Sequence, residues 1–327
     1  MTYSVQIQPV GKQFETQGED SLLDSALKSG IMLKHGCRDG KCGDCRTTLV
    51  SGQVAYPEGL ELSVSDQEGS TVLTCQARAQ SDLILESPEV TEFEGISIQK
   101  VIGRVMQKSV AAEDVVILTC MLAPGTEFKY LPGQYVDLTL ANGVTRSYSM
   151  AKADAQDGNI ELHIRLVSSG QATPFIFNEL QPKNRVTLEG PYGSFYLRES
   201  ERPIILLASG TGFAPIKALM EQMIATANQR SVHLFWGGRR QPDLYQNALC
   251  ESWVASLSWF SYTPVLSDEA WNGRQGFVHR AVIEDYPDLS GHQVYACGAP
   301  IVIESAKRDF VKECGFDLQH FFADAFV

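Results

Sequence analysis

The chain lacks any long apolar run. Nowhere in its 327 residues is there a stretch near the roughly 18 apolar residues of a membrane span. Positive charge is also scarce. Lys and Arg number 27 against 39 Asp and Glu, for a formal net charge of −12. Nucleic acid is therefore not an expected partner, because phosphate contacts need Lys and Arg. The opening segment MTYSVQIQPVGKQ lacks the apolar core of a signal peptide and alternates like a strand, so a cytoplasmic location is expected. A disulfide framework is not expected either. Four of the eight cysteines fall into a ligand pattern, which leaves Cys120, Cys250, Cys297 and Cys314 as free thiols in a reducing compartment. The remaining composition, 44% hydrophobic, is that of a soluble globular chain of two or three domains.

The most informative stretch is His35 to Arg46, HGCRDGKCGDCR. Cys37, Cys42 and Cys45 have the spacing C-x4-C-x2-C, and Cys75 follows at a distance in VLTCQAR. Four thiolates so spaced are the ligand set of a plant-type [2Fe–2S] cluster. Gly36, Gly40 and Gly43 interleave the ligands, as a backbone wrapped closely round a cluster requires. Zinc also takes four cysteines, but zinc ribbons usually show two C-x2-C pairs, and here only one pair is short.

The fold expected is a multidomain α+β chain. Residues 1–90 read as a β-grasp unit: a strand at Tyr3–Ile7, a hairpin at Gly11, a helix capped by Ser21, the cysteine loop, and a returning strand at Leu83–Leu85. Acidic residues outnumber basic ones in this unit, a charge that can steer a basic partner. Residues 91–97, TEFEGIS, read as a linker. Residues 98–200 hold six short strands separated by turns, the pattern of an antiparallel barrel. In residues 201–327, strands alternate with helices from the apolar run Pro203–Ala208 onward, as in a doubly wound parallel sheet.

Each later unit carries a candidate site. In Arg146-Ser147-Tyr148-Ser149, the Tyr148 ring can stack on a flavin, Arg146 can neutralise a pyrophosphate and Ser149 can bond the ring edge. His163 and Arg165 end another strand on the expected flavin side and are candidate cofactor contacts. Gly170 to Thr173 opens a helix whose N–H groups suit a phosphate. Gly190-Pro191-Tyr192-Gly193-Ser194-Phe195 reads as a turn closing the barrel. Ser209-Gly210-Thr211-Gly212-Phe213-Ala214-Pro215 joins a buried strand to a helix, where glycines let the backbone approach a pyrophosphate. The third glycine of G-x-G-x-x-G is missing, and so is a ribose-binding acid after Phe235-Trp236-Gly237-Gly238. Arg239 or Arg240 suits a 2′-phosphate, Asp243 and Tyr245 an adenosine, so either NADH or NADPH fits. Cys297, at a strand end in Tyr295–Pro300, suits a place beside a nicotinamide.

With these motifs, CRDGKCGDC, RSYS, GPYGSF, ASGTGFAP and YACGAP, the chain resembles the ferredoxin-NADP reductase superfamily in its form with an N-terminal plant-type ferredoxin domain. The resemblance covers the whole chain. It implies FAD on the barrel, NADH or NADPH on the α/β domain and a [2Fe–2S] cluster at the N-terminus. By position it implies that Arg146, Tyr148 and Ser149 hold the flavin, that Gly210 to Gly212 face the pyrophosphate, and that Ser149 and Cys297 flank the reacting atoms. The words RSYSMA, IELHIRLV and FWGGRR and the ending HFFADAFV are similar to the subgroup of CDP-6-deoxy-Δ3,4-glucoseen reductases and stand-alone flavin reductases. Plant ferredoxin reductases end in an aromatic residue that covers the flavin, whereas here Phe326 is penultimate. The resemblance implies a reductase that takes one two-electron hydride and passes single electrons to a protein acceptor, either a dehydrase or an oxygenase component. A redox sensor that keeps the fold without turnover is the alternative from another class.

Overall fold

The computed structural model describes residues 1–87, 90–92 and 95–326. They form two compact units: residues 1–99 with 191–194, and residues 100–190 with 195–326.

The first unit is built on a five-stranded sheet in the order Lys12–Gln17, Thr2–Gln8, Leu83–Glu86, Arg46–Ser51, Thr71–Leu73. Alternation in Thr2–Gln8 sends Val5 and Ile7 inward, where both are fully buried. The strand pairs antiparallel with Lys12–Gln17 and parallel with Leu83–Glu86. The helix Leu22–Lys28 covers the core with Leu22, Leu23 and Ala26, and Ser21 caps it by accepting the Asp24 N–H at 3.0 Å. This is the β-grasp arrangement expected. The turn-rich segment before Cys75 holds more than turns, namely the helix Val64–Gln67 and short strands at Val54–Ala55 and Thr71–Leu73. Of the expected linker, Thr91 and Glu92 belong to the strand Val90–Glu92, which pairs with Ile31–Leu33. Residues 93 and 94 lie outside the described residues.

Asp66 anchors the C-terminal end of the cysteine loop. Its side chain is fully buried and accepts from Arg46 Nε at 3.1 Å and Nη2 at 2.9 Å, and from the hydroxyls of Ser63 and Thr71 at 2.6 Å each. Burial pushes its carboxyl pKa up, but these donors outweigh that and hold it at about 2.

In the second unit, six strands form a sheet in the order Thr145–Ser149, Tyr135–Thr139, Arg185–Tyr192, Gln99–Ala112, Val115–Leu122, Asn159–Arg165, with Val115–Leu122 antiparallel to both its neighbours and Tyr135–Thr139 antiparallel to Thr145–Ser149. A bridge between Met150 and Leu162 brings its two edges together, so the sheet closes into a barrel around Val116, Leu118, Val136, Leu138, Leu162 and Leu188. The expected GPYGSF turn is shorter than its glycines suggest. The strand Arg185–Tyr192 continues through Pro191, and the chain turns only at Gly193, with φ +93°.

The rest of the second unit is a six-stranded parallel sheet in the order Arg274–Gln275, Phe260–Leu266, Val232–Gly238, Ile204–Ser209, Gln293–Gly298, Phe321–Ala325. The two-residue edge strand was not anticipated, being too short to carry a pattern. Ile204–Ser209 lies between Val232–Gly238 on one side and Gln293–Gly298 on the other, all parallel. The order reverses there, which opens a crevice at the carboxyl ends of these strands. Two glycines are required at this point. A Cβ on Gly212 would stand 2.1 Å from the Cys297 carbonyl oxygen, and one on Gly298 2.5 Å from that of Ser209.

Asp66→Asn is expected to destabilise the first unit by about 2 kcal/mol, the range for a charge-assisted hydrogen-bonded group, read by urea unfolding at pH 7. The folded carboxyl sits at about 2, below its ordinary value of roughly 4. Its contribution is therefore complete above about pH 4 and is lost as pH falls through about 2. A gap between parent and variant that stays constant down to pH 2 contradicts this.

Candidate functional site

The cysteine loop lies between the strands Ile31–Leu33 and Arg46–Ser51. It carries three of the four predicted ligands, and Cys75, just after the strand Thr71–Leu73, completes two pairs. The Cys37 N–H points at Cys42 Sγ at 3.4 Å, and the Cys42 N–H at Cys37 Sγ at 3.3 Å. The Cys45 and Cys75 sulfurs lie 3.2 Å apart. Among the described residues, no three His, Cys, Asp or Glu side chains converge to hold a single ion. Pairing of the first with the second cysteine and of the third with the distant fourth suits a dinuclear centre, in which each iron takes two thiolates. Gly40 has φ +86°, and a Cβ there would press on Leu60 at 3.0 Å. The glycines of the loop thus answer the conformational demand read from the sequence.

On the strand Thr145–Ser149, the three predicted flavin residues point to different surroundings. Arg146 is exposed, with Nη1 donating to the Thr145 carbonyl at 2.7 Å. Tyr148 packs on the barrel core, and its hydroxyl is buried without a hydrogen-bond partner among the described residues. Burial raises that phenol to about 12. An unpaired buried hydroxyl costs free energy, and FAD bound on this strand, rich in acceptors, suits it. Ser149 is buried and donates to Asp324 Oδ2 at 2.9 Å.

Asp324 was not singled out in the sequence, yet it joins two residues that were. The Cys297 Sγ lies 3.9 Å from the same carboxylate oxygen. Burial, reinforced by Asp324, pushes the Cys297 thiol well up, so it stays protonated. Ser149, Asp324 and Cys297 therefore converge where the barrel meets the carboxyl ends of the parallel strands. Phe326 follows at once, part-exposed, its N–H donating to the Gly298 carbonyl at 2.9 Å.

The glycine turn sits beside this group. Gly210–Gly212 forms one 3₁₀ turn ahead of the helix Phe213–Ala225, and Gly210, Thr211 and Gly212 are all buried. The Trp236 indole donates to the Gly210 carbonyl at 3.0 Å and stacks on Phe213. The Arg165 guanidinium lies against Gly210, 2.9 Å from where a Cβ would stand. Arg165 also pairs with Asp243 at 3.0 Å and Asp114 at 3.2 Å. Asp243 in turn accepts the N–H groups of Arg239 at 2.8 Å and Arg240 at 3.0 Å. Arg239 itself is exposed.

His163 reaches the same turn through Tyr245, whose ring packs edge-on against Trp236 and Phe213. Both ring nitrogens are engaged, Nδ1 with the Tyr245 hydroxyl at 2.8 Å and Nε2 with Glu161 at 3.0 Å. Burial lowers its pKa, so the ring is neutral. Glu161 is pushed up by burial but held at about 2 by His163 and Lys217. Lys217, 3.1 Å from Glu161, also donates to Glu221 and to the Ala151 carbonyl. This buried chain joins the barrel to the helix Phe213–Ala225. Its one legible signal was a lysine inside the otherwise apolar FAPIKALM. Gly170 and Thr173 make local contacts with Val167. The Thr173 hydroxyl bonds the N–H and carbonyl of Val167 at 2.9 and 3.1 Å, closing the loop before the helix Ala172–Asn178.

Comparison with known proteins places these features in a class. Residues 5–80 match the 2Fe-2S iron-sulfur cluster binding domain, residues 103–196 the oxidoreductase FAD-binding domain, and residues 206–308 the oxidoreductase NAD-binding domain. The protein is an NAD(P)H-dependent oxidoreductase that uses FAD and a [2Fe–2S] cluster in electron transfer. The chain belongs to the ferredoxin-NADP reductase superfamily in its form with an N-terminal plant-type ferredoxin domain. It is 40% identical to the CDP-6-deoxy-L-threo-D-glycero-4-hexulose-3-dehydrase reductase of Yersinia pseudotuberculosis, over all of this chain and 99% of that one. It is 31% identical to the phenol hydroxylase P5 protein of Acinetobacter pittii, over 94% and 89% of the two chains. Among solved structures it is similar to the Amycolatopsis cytochrome P450 reductase GcoB, with a TM-score of 0.86 and 27% identity over 99% of this chain and 98% of that one. No described helix is long and apolar enough to cross a membrane.

Tyr148→Phe separates the chain's own needs from the flavin's. Removing the unpaired hydroxyl is expected to raise the stability of the FAD-free protein by about 1 kcal/mol and to weaken FAD retention, read by thermal unfolding and by flavin content after gel filtration. A less stable FAD-free variant contradicts the reading.

Proposed function

We propose that the chain passes electrons to a separate protein, and that this acceptor is a dehydrase working on a nucleotide-linked deoxyhexulose. The end-to-end identity of 40% to a reductase named for such a dehydrase carries this reading, against 31–32% for relatives named for hydroxylases, oxygenases and monooxygenases. An oxygenase or hydroxylase component is the second reading, supported by the number of relatives so named. A cytoplasmic setting suits the free thiols of Cys120, Cys250, Cys297 and Cys314.

A bound FAD would supply the conversion between one two-electron hydride from the nicotinamide and the single electrons that a [2Fe–2S] cluster accepts. The chain's part is to bind, orient and insulate. Cys37 with Cys42, and Cys45 with Cys75, hold the cluster. Tyr148 offers its ring to the flavin and its hydroxyl to an acceptor on it, and Arg146 meets the pyrophosphate. The Asp324 carboxylate fixes the Ser149 hydroxyl, so that the serine is set before any ligand arrives. The protonated Cys297 thiol offers the nicotinamide a neutral, apolar wall. Gly210, Thr211 and Gly212 admit the dinucleotide phosphates, with Arg165 and Arg239 as the nearby positive charges and Phe326 at the open edge.

Two experiments test this. Cys75→Ser is expected to lose the cluster's EPR signal while NADH still bleaches the flavin at the parent's rate; loss of flavin reduction as well would sink the modular assignment. Acceptor choice is read from NADH oxidation with a purified CDP-hexulose dehydrase or with an aromatic-ring oxygenase component. Turnover with the dehydrase alone supports the first reading, and turnover with the oxygenase alone replaces it with the second.

A further inference from the structure

His35, which opens the cysteine loop and is not itself a predicted ligand, is bonded through both ring nitrogens and both backbone polar groups. It is 2% exposed. Its Nδ1 lies 2.8 Å from the Leu33 carbonyl, an acceptor only, so Nδ1 carries the proton. Nε2 must then be an acceptor, and the Gly193 N–H donates to it at 2.8 Å. The backbone is gripped at the same place. The His35 N–H donates to Ser194 Oγ at 3.0 Å, that hydroxyl donates to the His35 carbonyl at 2.9 Å, and the Ser194 N–H donates to the same carbonyl at 3.1 Å. Three residues on, the Arg38 guanidinium stacks over the Tyr192 ring at 3.8 Å, although Arg38 is held in the left-handed region at φ +63°. The turn 191–194 is part of the first unit. No sequence signal pointed to this pairing, since His35 and Gly193 are 158 positions apart.

We propose that His35 is a positioning residue for the [2Fe–2S] cluster. Through its Nε2 bond to Gly193 it clamps the segment leading into Cys37 onto the 191–194 turn, and so sets where the Cys37 thiolate presents itself. The inference rests on the assignment of Cys37, Cys42, Cys45 and Cys75 as ligands. A residue one shell out from a metal acts by fixing the orientation of the ligand it supports. His35 does this along the backbone, with Gly36 between it and Cys37, and Gly36 has no side chain to stiffen the step.

The test uses the full-length protein with its cofactors and three variants. His35→Ala removes both ring bonds. His35→Gln places an amide oxygen near the Nε2 position, where it can still accept from Gly193. His35→Asn places its amide near the Nδ1 position and reaches only Leu33. Two readouts other than turnover are taken, the EPR g-values of the dithionite-reduced cluster and the rate of iron loss to a chelator. His35→Ala and His35→Asn are expected to shift the g-values and to release iron about tenfold faster, in line with the loss of a group that orients a metal ligand. His35→Gln is expected to restore both readouts towards the parent's. Ser194→Ala, which leaves the histidine intact, gives a smaller change of the same sign and serves if His35→Ala does not fold. Parent-like g-values and iron release in His35→Ala, or in Ser194→Ala in its place, overturn the proposal. Rescue by Asn but not Gln also overturns it, since the Leu33 bond would then be the one that matters. A parent protein with no [2Fe–2S] signal at all would remove the ligand assignment itself, a different failure from a parent-like variant.

Discussion

The arrangement of the second unit turns on one carboxylate. Asp324 lies on the last strand of the parallel sheet, accepts from Ser149 on the barrel at 2.9 Å, and lies 3.9 Å from the Cys297 thiol. That contact and the Arg165–Asp243 pair at the glycine turn give the barrel and the parallel sheet polar contacts, beyond shared apolar surface, near the predicted ligand sites. The buried chain His163–Glu161–Lys217 ties the same two parts together farther along, with Tyr245 at its end. Polar groups so deeply buried are costly unless each is satisfied. Here they are paired, and the pairing fixes one relative placement within the unit. The close backbone approach of Gly212 to Cys297, and of Gly298 to Ser209, then leaves room at the crevice for phosphates rather than side chains.

The first unit follows a different logic. Its core is apolar and ordinary, and its demands gather in one loop. Two thiol pairs have to be presented by a backbone that turns repeatedly, so the loop is held from outside: by Asp66 through Arg46 at one end and by the 191–194 turn through His35 at the other. Arg38, at positive φ, is kept in place by its stack on Tyr192 and by a bond from Gln76 to its carbonyl. The ligands supply the chemistry, and the neighbours supply the shape.

Much of this was legible in the sequence, and the reason differs from one element to the next. Cysteine spacing and interleaved glycines encode a local structure, so the cluster loop could be read directly. Alternating strands, the Ser21 cap and the buried run Pro203–Ala208 revealed the three folds, because periodicity and capping are local too. What escaped was long-range. Asp324 reads as one acid in an aromatic ending until the fold brings Ser149 to it from 175 positions away. The protein partners of His163 and Arg165 were not legible either: one bonds Tyr245 and Glu161, and the other lies on Gly210 between Asp243 and Asp114. The turn after Gly190 was placed too early because glycine and proline signal turns even where a strand edge tolerates them.

The central claim is that reducing equivalents from NAD(P)H reach a [2Fe–2S] cluster held by Cys37, Cys42, Cys45 and Cys75. An anaerobic titration of the purified protein with NADH, followed by visible absorbance and EPR, tests it most directly. The account predicts bleaching of the flavin band accompanied by a rhombic signal of a reduced [2Fe–2S] centre. Bleaching with no such signal, at any ratio of NADH to protein, would contradict it and leave a simple flavin reductase.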